Sequence, residues 1–369
     1  MKSRLWPLLF VVVASLVFGS VSLIYPHGRD QGIHAFIADS ALSGKVVYRD
    51  VFNIKPPLTT FVHALSLLLF GRTMTAIRLL DLFWTLATAL LLYLLVRRLF
   101  DEPWLGALAG VLYPLIYYPL GFWYTAQTDG WLNLPLLAAL LLVAQDASGV
   151  KRWPSWVIAG VLIGLATLLK YTAVALLPFV ALVLLYGQRK HIAGGIRACL
   201  WVTTGFVLTL AIAAIWLAVS GAMPAFIESQ FGLVPAYARL SPGVGLWGRF
   251  VALVGKMVEE PVLCLPVLLA ATGFVVASAS YFLLKPWRAG LGVLGVLLVT
   301  GFASTFSQGK FFVYHYLPMF PALAALGALG LFVLLRPLAR LRLLAASAAL
   351  AALFVLALLA GYGNLFSNL

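Results

Sequence analysis

Few side chains in this sequence can do chemistry, and they are unevenly placed. Of 11 Asp and Glu residues in 369, three fall together in one N-terminal stretch, Asp30, Asp39 and Asp50. Asp129 follows beside an apolar run. A positioned carboxylate is a common acceptor for the proton of an attacking hydroxyl. In Lys55-Pro56-Pro57, two prolines fix an extended backbone and hold one ammonium at a set place, which suits a phosphate. The run Ser307 to Tyr316 adds the amide of Gln308, the cation of Lys310, the imidazole of His315 and the phenols of Tyr314 and Tyr316.

Each group also has a plainer reading. Asp30 immediately precedes a helical pattern and reads equally well as a helix cap. Asp39 reads as part of a solvated polar face. Asp50, in Tyr48-Arg49-Asp50, can simply pair with a nearby cation. Asp81 follows Arg78 by one helical turn, the spacing of an ion pair. Lys55 can snorkel, and Glu259 and Glu260 read as facing water. An aromatic belt accounts for Tyr314 and Tyr316, but it does not need Gln308, Lys310 and His315 beside them.

Other patterns carry no chemistry. Gly243 to Gly248 satisfies GxGxxG, but it follows Ser241-Pro242 without a strand, so no dinucleotide site is expected. No histidine begins an HExxH. Cys199 and Cys264 lie in apolar stretches without disulfide or zinc spacing. A metal site built from His27, His34, His63 or His315 with the aspartates has no support in spacing. No cofactor is predicted, and a divalent cation is left open.

The elements that must position these groups are set by composition. The chain is 63% hydrophobic and 10% charged, with mean hydropathy +1.04, so its solvent is largely lipid. Apolar runs of about 20 residues recur from end to end, each long enough to cross a bilayer as a helix. A closed barrel would show short alternating strands instead. About 11 crossings are predicted, near 5–24, 76–96, 104–120, 131–145, 155–169, 171–187, 198–219, 261–284, 289–305, 315–335 and 343–361. The first reads as an uncleaved anchor, and 155–187 as a hairpin turning at Lys170–Tyr171. The formal net charge of +14 is dispersed over short loops, which excludes a nucleic-acid face. With the N-terminus inside, clusters such as Arg97/Arg98, Lys151/Arg152, Arg189/Lys190, Lys285/Arg288 and Arg336/Arg340/Arg342 are cytoplasmic, as the positive-inside rule requires. Gly106/Gly110 and Gly160/Gly164 fit close helix packing.

The expected architecture is thus a single all-α transmembrane bundle over 1–369, without a soluble C-terminal domain. Two long outside loops, 25–75 and 220–260, are the places for function. Within the first, Ile33, Phe36, Ile37 and Ala41 recur at helical spacing. The apolar run from Pro57 to Phe70 is too short to span and reads as an interfacial helix.

The order Asp30-x-Gly32, Gly44, Tyr48-Arg49-Asp50, Lys55-Pro56-Pro57-Leu58 resembles the first periplasmic loop of the GT-C glycosyltransferases. The branch is that of the protein O-mannosyltransferases and lipid A aminoarabinose transferases. Thr128-Asp129 and Gln308-Gly309-Lys310 with His315-Tyr316-Leu317-Pro318 look like the same family, and the likeness runs over roughly 5 to 335. It implies a GT-C-like bundle in a bacterial inner membrane with its site facing the periplasm. It also implies a polyprenyl-phosphate-linked sugar donor and a glycan, lipid or protein acceptor. Asp30 would then be the general base of an inverting transfer, and Asp129 would orient the acceptor, the sugar or a divalent ion. Lys55, Lys310 and His315 would receive the donor phosphate, with Tyr48, Asp50, Gln308 and Tyr314 in support. A transporter or flippase of lipid-linked sugars is the alternative; it would place ionisable groups at mid-membrane.

Overall fold

A computed structural model describes residues 5–144, 153–189, 191–240, 245–280 and 287–335. The expected span at 343–361 lies outside the described residues, as do Lys151, Arg152, Lys190, Lys285, Arg336, Arg340, Arg342 and the start of the glycine run at 243.

The described residues form helices and no strand; one isolated bridge joins Val47 and Val51. They are α1 (Leu5–Ser20), α2 (Arg29–Leu42), α3 (Pro57–Phe70), α4 (Met74–Phe100), α5 (Pro103–Tyr117), α6 (Thr128–Trp131), α7 (Asn133–Ala144) and α8 (Trp153–Leu169). Then follow α9 (Leu176–Gly187), α10 (Ile192–Val219), α11 (Met223–Ile227), α12 (Val234–Arg239), α13 (Gly245–Glu259), α14 (Pro261–Ser280), α15 (Arg288–Gln308) and α16 (Phe320–Leu335).

Five described segments are long and apolar enough to cross a bilayer: 5–24, Met74–Phe100, Ile192–Val219, Arg288–Gln308 and 313–333. The crossings expected near 104–120, 131–145, 155–169 and 171–187 form helices too. These hold only 15, 12, 17 and 12 residues, short of the roughly 20 that span alone. The 155–187 stretch breaks where the sequence suggests: α8 ends at Leu169, Lys170 is extended, and a 3₁₀ turn over Tyr171–Ala175 leads into α9. α13 meets α14 at a 97° bend, and the two are apolar and long enough to cross only when taken together.

Small residues let the backbones approach. A Cβ on Gly160 would sit 1.9 Å from the Val202 carbonyl oxygen, and one on Gly205 would sit 2.0 Å from that of Val157. α8 and α10 therefore pack backbone to backbone there. Gly106 and Gly110 seat α5 against α4 in the same way. The segment at 313–333 is the most enclosed of the five, with α16 packed against α5 and α14.

The two helices of the first loop form over the expected residues, and much of their apolar surface faces outward. α3 buries Thr59, Thr60, His63 and Ser66 and exposes Phe61, Leu65, Leu68 and Leu69. α2 buries Gln31, His34 and Ser40 and exposes Ile33 and Phe36. Where lipid is the solvent, apolar side chains gain nothing by turning inward, and polar ones find partners only inside the protein. Ile37 is the part of the expected apolar stripe that does turn in, at 3% exposure.

Candidate active site

Lys55 is held by its own backbone before its side chain is considered. Tyr48 adopts a left-handed φ of 72°, which turns its ring back so that its hydroxyl donates to the Lys55 carbonyl at 2.7 Å. The Lys55 N–H donates to the Asn53 side-chain oxygen at 2.9 Å. Asn53 is itself tied to Thr60 at 3.1 Å, and its carbonyl accepts from Ser229 at 2.6 Å. Pro56 and Pro57 then start α3. Tyr48 is thus the residue that supports Lys55. Asp50 supports the loop: it pairs with Arg49 at 2.8 Å and accepts from the Val46 N–H at 2.8 Å. Those hydrogen bonds hold its carboxyl down at about 2.

Asp30 lies in the first turn of α2, and Gly28, not Asp30, occupies the cap position. The capping alternative is therefore set aside. The Asp30 carboxylate faces the Tyr314 hydroxyl and lines a cleft of about 760 Å³. Lys55, Lys310, Tyr314, His315 and Gln308 line the same cleft, so one space collects most of the groups that the sequence singles out. Its volume suits a sugar phosphate or somewhat more.

Asp129 is placed differently. It is fully buried. One of its oxygens accepts from the Lys170 ammonium at 3.0 Å and the other from the Gln308 amide at 2.9 Å. Both oxygens being engaged, the carboxylate works as a strut that fixes Lys170 and Gln308 at the cleft wall. Lys170, which by sequence marks only a break in an apolar stretch, lines the cleft and is held by Asp129. The signal was present, because a lone lysine between two apolar arms is costly unless partnered.

The remaining cations are set by aromatic faces. Lys55 lies 5.7 Å from the centre of the Tyr314 ring, and Lys310 lies 3.5 Å from that of Tyr237. Such contacts hold an ammonium without neutralising it. Burial pushes the Lys55 ammonium down to about 8, with Lys170 adding to the shift and Asp129 and Asp30 opposing it. His315 is buried against Tyr314, ring centres 4.7 Å apart. Its carbonyl accepts from Thr305 at 2.9 Å.

Asp39 stays on a solvated face, where it pairs with Arg72. Two plain readings change. Glu260 lines the cleft and accepts from Lys256 at 2.6 Å. Asp81 and Arg78 turn to separate partners: Asp81 accepts from Trp131 at 2.8 Å and Tyr117 at 2.9 Å, and Arg78 bonds elsewhere.

A divalent cation does not fit the Asp129 carboxylate, since an ammonium and an amide N–H already occupy both oxygens and Lys55 adds positive charge nearby. Among the described residues no three His, Cys, Asp or Glu side chains converge as metal ligands.

This bundle, with its cleft over the first loop, has the fold of the GT-C superfamily. It superposes on ArnT from Cupriavidus metallidurans bound to undecaprenyl phosphate with a TM-score of 0.62 at 20% identity, covering 88% of this chain and 60% of that one. On the archaeal oligosaccharyltransferase AglB from Archaeoglobus fulgidus, in complex with an inhibitory peptide and a dolichol-phosphate, the TM-score is 0.54 at 14% identity, covering 96% and 54%. A further structure, of the Archaeoglobus fulgidus oligosaccharyltransferase in complex with zinc and sulfate, gives 0.57 at 15% identity, covering 96% and 52%. The chain thus spans about 60% of the length of ArnT. Residues 54–218 match the family described as dolichyl-phosphate-mannose-protein mannosyltransferase. No curated protein sequence matches. Over residues 54–218 the sequence is thus similar to that mannosyltransferase family, and the fold of the chain is that of ArnT and the archaeal oligosaccharyltransferase.

Proposed function

We propose that this protein is a membrane glycosyltransferase that moves a sugar from a polyprenyl phosphate to an acceptor hydroxyl. The observation that carries this reading is the division of labour among the carboxylates. Glu260 is paired with Lys256 and Asp129 with Lys170. Asp30 lines the cleft and is in no ion pair among the described residues. The cleft therefore offers one carboxylate for a proton and several ammonium groups for a phosphate.

In the proposed reaction Asp30 accepts the proton of the acceptor hydroxyl as its oxygen bonds to the anomeric carbon. The bond from that carbon to the phosphate oxygen breaks, and its electron pair leaves with the lipid phosphate. Attack in line with the leaving group inverts the carbon. A positioned base contributes about 10²–10⁴-fold. Charge growing on the phosphate is met by Lys55 and Lys310, already oriented at the cleft wall, with Lys170 fixed beside them. His315 packs against Tyr314 and completes the wall. Asp129 acts through Lys170 and is a positioning residue.

The charge pattern of the loops and the family resemblance support an inner-membrane protein whose cleft opens to the periplasm. The acceptor is a glycan, a lipid or a protein.

The test uses the purified chain in lipid nanodiscs with a panel of radiolabelled polyprenyl-phosphate sugars and crude envelope acceptors. Label should transfer in the wild type, and transfer should fall at least about 100-fold in Asp30→Asn with insertion unchanged. Full activity in Asp30→Asn would remove Asp30 as the base.

A further inference from the structure

Asp30 and Asp129 stand on segments far apart in the chain, and one buried side chain joins them. Arg78, early in α4, is fully buried, and its fork reaches both. One terminal nitrogen donates to the Pro26 carbonyl at 2.6 Å and to that of Phe122 at 3.0 Å. The other donates to the Thr125 hydroxyl at 3.0 Å. Pro26 leads into Asp30 through the cap residue Gly28, and Thr125 leads into Asp129. The Thr125 hydroxyl in turn donates to the Gly121 carbonyl at 2.8 Å.

A second arm repeats the connection. Gln31, next to Asp30, donates to the Thr125 carbonyl at 2.7 Å and to that of Phe122 at 3.2 Å. The far end of the segment is held from the next turn of α4. Ala126, left-handed at φ 54°, donates its N–H to the Tyr117 hydroxyl at 2.8 Å. Tyr117 and Trp131 both donate to Asp81.

A fully buried guanidinium is costly unless its donors are used. Here the two terminal nitrogens are spent on two loop carbonyls and a loop hydroxyl, not on the acid one turn along, while Nε has no partner. Only a planar fork with several fixed donors meets those three acceptors at once, and an ammonium on the same stem does not.

We propose that Arg78 is a positioning residue that sets the distance between Asp30 and the Lys170–Asp129 pair, with Gln31 as a second tie. The proposal rests on the transferase reading of the cleft. Its leverage is geometric: a misplacement of about 1 Å between reacting groups is enough to slow a reaction roughly 100-fold.

The test compares wild type, Arg78→Lys and Thr125→Val in nanodiscs by two readouts. Amide exchange over 121–129 should quicken at least about tenfold in Arg78→Lys and less in Thr125→Val, with α10 and α14 unchanged. In the sugar-transfer assay, kcat should fall about 100-fold in Arg78→Lys and about tenfold in Thr125→Val, with KM for the donor within about twofold of wild type. Exchange and kcat at wild-type values in both variants would overturn the proposal, as would a loss confined to KM. Thr125→Val adds no charge and keeps the side chain's shape, so it decides the matter if Arg78→Lys does not fold. If wild type transfers no sugar from any donor, the transferase reading fails, while the exchange data still show whether Arg78 fixes the segment.

Discussion

Replacing Lys170 with methionine keeps most of the side chain's length and packing but strands the Asp129 carboxylate. Asp129 is fully buried, and Lys170 is 14% exposed, so the pair is close to the buried limit. Removing one partner of such a pair costs about 3–5 kcal/mol, because an uncompensated charge stays inside. Gln308 still donates to Asp129 and Lys55 still lies near it, which places the expected loss at about 3 kcal/mol. Asp129→Asn made together with Lys170→Met removes the stranded charge and leaves Gln308 an acceptor. The double variant should therefore recover about 2 kcal/mol relative to the sum of the single effects. Unfolding by SDS titration in mixed micelles, followed by tryptophan fluorescence, measures all three variants against wild type. Single effects that add to within about 0.5 kcal/mol in the double variant would show that the two side chains are not coupled, and the strut role of Asp129 would fall.

Two more outcomes follow from the same geometry. Lys55, held down at about 8, is charged below that pH and neutral above it. Binding of a polyprenyl phosphate should therefore be full at pH 7 and weaken about tenfold per unit as pH rises beyond 8. Lys55→Arg should remove that break, and a wild-type affinity that stays flat to pH 10 would contradict it. At the α8–α10 crossing, Gly160→Ala pushes a methyl into the Val202 carbonyl and should destabilise the fold by about 1–3 kcal/mol. A change within error in SDS titration would refute the backbone contact there.

Much of the bundle is legible in the sequence alone. Lipid is a uniform solvent, so an apolar run by itself nearly decides that a helix forms, although four of the expected crossings are too short to span alone. The breaks at Pro57 and Lys170 were equally local: proline cannot continue a preceding helix, and an unpartnered ammonium does not remain mid-membrane. The candidate side chains were legible by type, and Asp30, Lys55, Gln308, Lys310, Tyr314 and His315 do share one cleft.

What each of them does was decided by tertiary structure. Asp30 and Asp129 look alike in sequence, two carboxylates at apolar boundaries. They differ because Lys170 and Gln308 arrive from distant helices to occupy both oxygens of one of them. The apolar faces of α2 and α3 followed the helical period, but their direction depended on which side the neighbouring spans left open to lipid. Arg78 pointed, by spacing, to Asp81; only the fold brought Pro26, Phe122 and Thr125 within its reach. Local pattern thus specifies which segments become helices, since each pays its backbone hydrogen bonds internally. Partnership between buried polar groups depends on distances across the chain that no local pattern contains.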